Sequence, residues 1–372
     1  MRNRGQSEES GGNKMIQLTK RERVLRTISF QETDRVPVYD IITNESIREF
    51  YSGVSMTEDN AWELTFKTIR EALDMTRMIG IPNFHPARKL GKGDEEGFVW
   101  NSDRHTTWLE KRPFHDVDGL REYVNKDIGR KNKWNPDSAY VRQYRQQVED
   151  LQKGIGDDTV IVVESGAGLD TAYTAAGMEL FTYLLVDEPG LVSEWLETLN
   201  QAELRRAKAI ADPDLVPVML TYSDIAFKTG TLFSPAFLRK EFFPRLKRLT
   251  DVYHEAGVKC LFHSDGNLNA IVGDLLEAGI DGLNPIEVVA GMSVSDLRQK
   301  YGDRLFLAGG IDVSQLLPFG TPEQIRDVCF QTIKDAGVRG YFLGSTTELH
   351  PNIPAENVKA MFDAAREYTT GS

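Results

Sequence analysis

Short apolar runs that close on an acid or a histidine recur along the chain. RVPVYD ends at Asp40, MIGIPNFH at His85, and TVIVVES carries Glu164 near its end. VPVMLTYSD ends at Asp224, and KCLFHSD brings His263 and Asp265. GLNPIE ends at Glu287, LFLAGGID at Asp312 and YFLGSTTE at Glu348. Runs that are apolar throughout, rather than alternating, mark parallel strands buried on both faces. Helical patterns separate most of them, at Pro235–Ala256, Asn267–Ala278, Val294–Tyr301 and Pro322–Ala336. Strands alternating with helices of this length imply right-handed crossovers. The repetition predicts an α/β protein built as a single (β/α)8 TIM barrel. The alternative is an open doubly wound sheet, because Met78–Phe84 makes an irregular second strand.

Two segments stand outside that rhythm. Thr19–Ser29 predicts an N-terminal helix, with Thr19 and Glu22 spaced as a capping box and Val24, Leu25 and Ile28 as its apolar face. Pro86–Asp158 is too long for a simple crossover. Within it, GFVWNSDRHTTWLEKRPF alternates aromatic and β-branched residues as a hairpin does, and Tyr140–Lys153 follows as a polar helix. This insertion is expected at the barrel mouth, as a lid, a rim or a dimer contact. Residues 1–14 are polar and read as a disordered leader, leaving residues 15–372 as one barrel domain.

Composition narrows the function. The 372 residues are 40% hydrophobic and 27% charged, with a formal net charge of -12. That surface repels phosphate backbones and anionic membranes. No run of apolar residues is long enough to span a bilayer. The two cysteines, Cys260 and Cys329, form no disulfide framework, and a cytoplasmic enzyme is the expectation. Dinucleotide, P-loop and nucleophile-elbow fingerprints do not occur in their required settings.

Barrel enzymes keep their reactive groups at the C-terminal ends of the strands. The candidates there are Asp224, His263, Asp265 and Glu164 for catalysis, and Asp40, His85 and Glu287 for substrate binding. Each acid could instead cap the helix that follows its strand, and Asp312 fits that role best. His263 and Asp265 are set apart because residues two apart on a strand face the same side. Gly266 and Asn267 then turn the chain away. Such a pair suits a metal site or a general acid–base couple. The aromatic set Phe227, Phe233, Phe237, Phe242 and Phe243 reads as packing. The Gly-rich turn Ser165–Gly168 could approach an anion through its amides or be only a turn.

The segments TKRERVLRTISFQETDRVPVYD, FKTGTLFSPAFLRKEFFPRLKRL, HSDG, AGIDGLNPIE, YGDRLFLAGGID and IPAENVKAM resemble the uroporphyrinogen decarboxylase superfamily. The resemblance runs from Leu18 to Glu367 and is most specific over Tyr222–Met361. It implies a barrel, and either a tetrapyrrole decarboxylase or a cobalamin-dependent methyltransferase. The decarboxylases carry an Arg-rich R-Q-A-G-R-Y segment after the first strand, where this chain reads Asp40–Glu45 with no arginine before Arg48. The methyltransferases bind zinc through H-x-C and a later cysteine. Here His263 stays, Asp265 takes the first cysteine position, and Thr347 takes the last with Glu348 beside it.

The resemblance therefore implies a metal set of His263, Asp265 and Glu348, with His350 as a substitute. Zinc or another divalent ion bound this way would be a stronger Lewis acid than one on thiolates. The expected activity is methyl transfer from a small ether-like donor to a corrinoid carried by a cobalamin-binding partner protein. The alternatives are a decarboxylase-like lyase, with Asp224 or His263 handling the proton, and a non-catalytic binding barrel. Family members also imply a homodimer.

Overall fold

The computed structural model describes residues 17–77, 93–102, 107–156 and 158–368. The leader at 1–14, the strand expected at Met78–Phe84 and His85 lie outside them. Among the described residues, seven parallel strands run in sequence order: β1 (Met75–Arg77), β2 (Val160–Gly166), β3 (Val218–Tyr222), β4 (Lys259–His263), β5 (Gly282–Asn284), β6 (Phe306–Ala308) and β7 (Tyr341–Phe342).

The sheet curls, and its two edges are linked by the run RVPVYD. Val38 bridges Leu343 beyond β7, and Tyr39 bridges Met75 of β1, both in parallel. Tyr39 N–H donates to Leu343 O at 3.0 Å, and Met75 N–H to Val38 O at 3.1 Å. Gly344 permits the close approach, since a Cβ there would lie 2.1 Å from Tyr39 O. The first predicted strand is thus reduced to bridges, and β1 occupies the residues just before the expected second strand. β1 was hard to read because only Met75 of its three residues is a large apolar side chain.

Alternation along the strands sorts two cores. Tyr39, Met75, Val160, Val162, Val218, Leu220, Leu261, Phe306, Ala308 and Phe342 form the inner one. Their neighbours Ile161, Val163, Met219, Cys260, Phe262, Leu283 and Leu307 pack outward with the helices. The N-terminal helix Lys20–Ile28 adds Val24 and Ile28 to the inner core, so it plugs the barrel floor. Its Thr19/Glu22 capping box is formed, a local feature that stabilises by about 1 kcal/mol.

Below the strands, the buried Asp74 carboxylate accepts from Arg23 Nη1 at 2.6 Å and from Arg35 Nη1 and Nη2 at 2.7 and 2.8 Å. Val38 N–H adds a fourth bond at 2.8 Å, tying the start of the seam to the end of the helix Ala61–Ala72 that leads into β1.

The expected helices Val294–Tyr301 and Pro322–Ala336 match their predicted bounds. Pro235–Glu255 is interrupted by a wider π turn at Leu238–Phe242, and the helix expected from Asn267 forms only over Val272–Glu277. In the insertion, Val99–Ser102 and Thr107–Lys111 pair as an antiparallel hairpin. Two helices follow rather than one, Val117–Lys133 and Ser138–Ile155. The first was missed because its buried stripe is thin, only Leu120, Val124, Asp127 and Ile128. Among the described residues, no helix is long and apolar enough to cross a membrane.

Candidate functional site at the strand ends

The inner stripe continues past the apolar core into polar side chains. Two residues beyond Met75, Val162, Leu220 and Leu261 come Arg77, Glu164, Tyr222 and His263. Tyr222 stands in register with His263, and His263 with Asn284. The floor of the mouth is therefore a ring of polar groups set by strand alternation.

His263 is 4% exposed. Its Nδ1 lies 2.7 Å from Asn284 Oδ1, and Asn284 Nδ2 donates to Ala308 O at 3.1 Å. The second bond fixes the amide orientation, so the imidazole must carry its proton on Nδ1. Nε2 is left as a lone pair, 4.0 Å from Asp265 Oδ1. Burial, and then the Arg77 charge, push the His263 pKa down, which keeps the ring neutral. Tyr222 stacks on it with centroids 5.5 Å apart.

Two residues past Tyr222 and His263 stand Asp224 and Asp265. Tyr222 OH donates to Asp224 Oδ2 at 2.8 Å, and Asp265 N–H reaches Asp224 Oδ1 at 3.4 Å. Burial, then the Asp224, Glu287 and Glu348 charges, raise the Asp265 carboxyl to about 7. Its Oδ1 is buried and has no hydrogen-bond partner. One ligand atom from each of Asp224, His263 and Asp265 falls within 4.8 Å of the others.

These observations fit a bound cation. A buried carboxylate oxygen lacks a partner, a neutral imidazole offers its lone pair, and its other nitrogen is held by an amide, as metal-ligating histidines are. A nitrogen–oxygen set suits zinc and harder divalent ions. A second cluster, His254, Cys260 and Asp281, does not compete. Asp281 is already engaged by His254 and Lys259 and by the Cys260 amide, and burial raises the Cys260 thiol pKa.

The remaining candidates separate by their partners. Glu348 lies outside the three-residue cluster and accepts from Thr347 Oγ1 at 2.8 Å. His350 has its Nε2 3.0 Å from Val313 O, and its Nδ1 accepts from Asn352 N–H at 3.3 Å, so neither nitrogen offers a ligand. Asp224 stands where Glu348 was expected.

Glu164 pairs with Arg77, whose Nε lies 3.0 Å from Oε1. Asp40 is buried and takes Ile41 N–H, Ser345 N–H and Ser345 Oγ at 2.8, 2.9 and 2.7 Å. It locks the first segment to the chain after β7, and burial raises its carboxyl to about 7. Asp40 and His263 both line a cavity of about 10 Å³. Glu287 accepts from Gly266 N–H at 2.7 Å, which holds the HSDG turn. At Gly266 φ is +92°, and a Cβ would lie 2.6 Å from the Ala226 and Phe227 backbone, so glycine is required. Asp312 caps the turn after β6, accepting from the Ser314, Gln315 and Leu316 amides. Arg77, Tyr222 and Asn284 were missed in the sequence; alternation from the neighbouring apolar residues signals Tyr222 and Asn284, whereas Arg77 stands on a strand with no such pattern.

The model of the family described as Uroporphyrinogen decarboxylase (URO-D) matches residues 116–368. Uroporphyrinogen decarboxylase from Trichodesmium erythraeum is 29% identical over 103 residues, 28% of each chain. Methylcobamide:CoM methyltransferase MtaA from Methanosarcina barkeri is 22% identical over 225 residues, 60% of this chain and 62% of that one. These relatives are enzymes, and the matched regions span less than two thirds of their length. A solved methyltransferase from Methanosarcina mazei superposes with a TM-score of 0.68 at 17% identity, covering 94% of this chain and 98% of that one, a likeness of fold. The strand order, the HSDG turn and the span of the family match agree: this chain belongs to the uroporphyrinogen decarboxylase family.

Proposed function

We propose that the protein is a methyltransferase that takes a methyl group from a small ether-like donor and delivers it to a corrinoid on a partner protein. Asp224, His263 and Asp265 would hold a divalent metal, zinc in the first instance. The carrying observation is the orphaned, buried Asp265 Oδ1 beside the Nε2 lone pair of His263. Bound there, such an ion supplies Lewis acidity toward the oxygen that loses its methyl group. The protein's own groups prepare the site. Asn284 keeps the His263 proton on Nδ1, Tyr222 orients Asp224, and Glu287 holds the turn that presents Asp265. The corrinoid partner is supported by the methylcobamide in the name of the relative that covers 60% of this chain.

The second reading is a decarboxylase-like lyase. Asp265, with its carboxyl near 7, can carry a proton at the mouth, and the short decarboxylase matches favour that chemistry. Elemental analysis decides between them. Wild type incubated with zinc, manganese, iron or cobalt should retain about one ion per chain. His263→Ala and Asp224→Ala should lose it while keeping their circular dichroism. Wild type that stays metal-free would overturn the methyltransferase reading and leave the lyase.

A further inference from the structure

A cavity of about 430 Å³ lies between the insertion and the barrel mouth. The hairpin contributes Trp100 and Leu109, the helix Val117–Lys133 contributes Tyr123, and the barrel contributes Tyr222. Tyr222 joins this cavity to the proposed metal site, because its ring lies on His263 and its hydroxyl holds Asp224.

Four acids line the cavity, and three are already engaged. Asp94 accepts from the Glu96 and Phe98 amides of its own turn. Glu96 takes Tyr123 OH and pairs with Arg130. Asp127 takes Trp195 Nε1 at 2.7 Å and Arg130 Nη2 at 2.6 Å. Asp170, in the first turn after β2, differs. Its Oδ1 is buried and has no partner, and burial raises its carboxyl to about 7. An unpaired buried oxygen costs stability, and the Ser223 hydroxyl and the Asp170 and Thr171 amides, which favour the carboxylate, offset that cost only in part because none makes a full hydrogen bond to Oδ1. Such a cost is expected where a ligand completes the bonding.

We propose that this cavity binds the body of the methyl donor, that the body is a flat aromatic ring bearing a hydrogen-bond donor and no negative charge, and that Asp170 reads that donor. The assignment rests on the methyltransferase reading for what the ligand is, but not for where it binds. Aromatic walls favour a planar ring over an alkyl body of equal size. The four carboxylates of the lining outnumber its two cations, Arg130 and Lys131, and so disfavour an anion. A donor hydrogen satisfies Asp170 Oδ1, which an ether or hydrocarbon cannot.

Trp100 and Trp195 line the cavity and report occupancy through their fluorescence. The test titrates the full-length protein with phenol, anisole, cyclohexanol and benzoate at about pH 8, above the Asp170 titration range. Phenol should bind most tightly. Anisole lacks the donor, cyclohexanol the flat face, and benzoate adds the charge, so each should bind about tenfold more weakly or worse.

Asp170→Leu should weaken phenol by a similar factor, while its melting temperature holds or rises because the orphaned oxygen is gone. Asp170→Asn, which keeps an acceptor, should retain part of the affinity. Anisole, cyclohexanol or benzoate matching phenol would overturn the assignment. So would unchanged phenol binding in Asp170→Leu, or a fall in its melting temperature with phenol binding intact. Metal content is read on the same samples. A metal-loaded protein that ignores phenol refutes this inference alone, and a metal-free protein that binds phenol refutes the metal reading alone.

Discussion

Asn284 should control metal affinity without touching the metal. Its amide is 5% exposed and spans two groups, accepting from His263 Nδ1 and donating to Ala308 O. In Asn284→Leu the imidazole loses the partner that places its proton, and nothing then favours a lone pair on Nε2. Groups that orient a metal-ligating histidine typically change affinity 10- to 100-fold, about 1.4–2.7 kcal/mol. The same substitution leaves Ala308 O and His263 Nδ1 buried without partners, which costs about 1–3 kcal/mol of folding stability for each. Asn284→Asp loses the donor to Ala308 O and adds a carboxylate, but keeps an acceptor for His263 Nδ1, so its metal affinity should stay nearer wild type. Competition with a chromophoric chelator gives the affinities, and urea unfolding gives the stability. Nitrogen-15 spectra of the labelled imidazole read the tautomer directly in metal-free protein. A wild-type ring protonated on Nε2, or an Asn284→Leu protein with unchanged affinity, would refute the argument.

Two further outcomes follow from groups at the seam. The Asp40 carboxyl titrates near 7 when folded and near 4 when unfolded, so the folded chain binds a proton that the unfolded chain lacks between those values. Its contribution to stability therefore rises as pH falls from about 7 toward 4; the melting temperature of wild type should gain more over that window than that of Asp40→Asn, and equal gains would count against it. Asp74→Ala leaves Arg23 and Arg35 facing each other at the barrel floor without their shared carboxylate, and should cost about 3–5 kcal/mol in urea unfolding; a loss under about 1 kcal/mol would mean that water replaces the pair.

What could be read from the sequence depended on how far apart the deciding residues lie. The N-terminal helix was legible because Thr19 and Glu22 fix its start within one turn. Asp312 was legible as a cap for the same reason, since the three amides it binds lie within the next four residues. β1 was not, because three residues held between Tyr39 and Val160 owe their conformation to those partners rather than to any pattern of their own.

The proposed metal set falls between these cases. His263 and Asp265 were visible as a pair on one strand, and their third partner was sought by alignment at Glu348. The geometry favours Asp224 for a reason the strands contain. Tyr222 and His263 are neighbours in register, so the residues two beyond each, Asp224 and Asp265, leave adjacent strands on the same side. Glu348 lies three residues past Ser345, whose hydroxyl and amide are committed to Asp40, and its side chain turns to Thr347. Once β3 and β4 are known to be adjacent, counting two residues past the last inward-facing side chain on each finds the site. The adjacency follows from strand order alone, because successive strands of a barrel pair with each other. A motif match identifies which residues carry chemistry, and strand alternation decides which of them can meet.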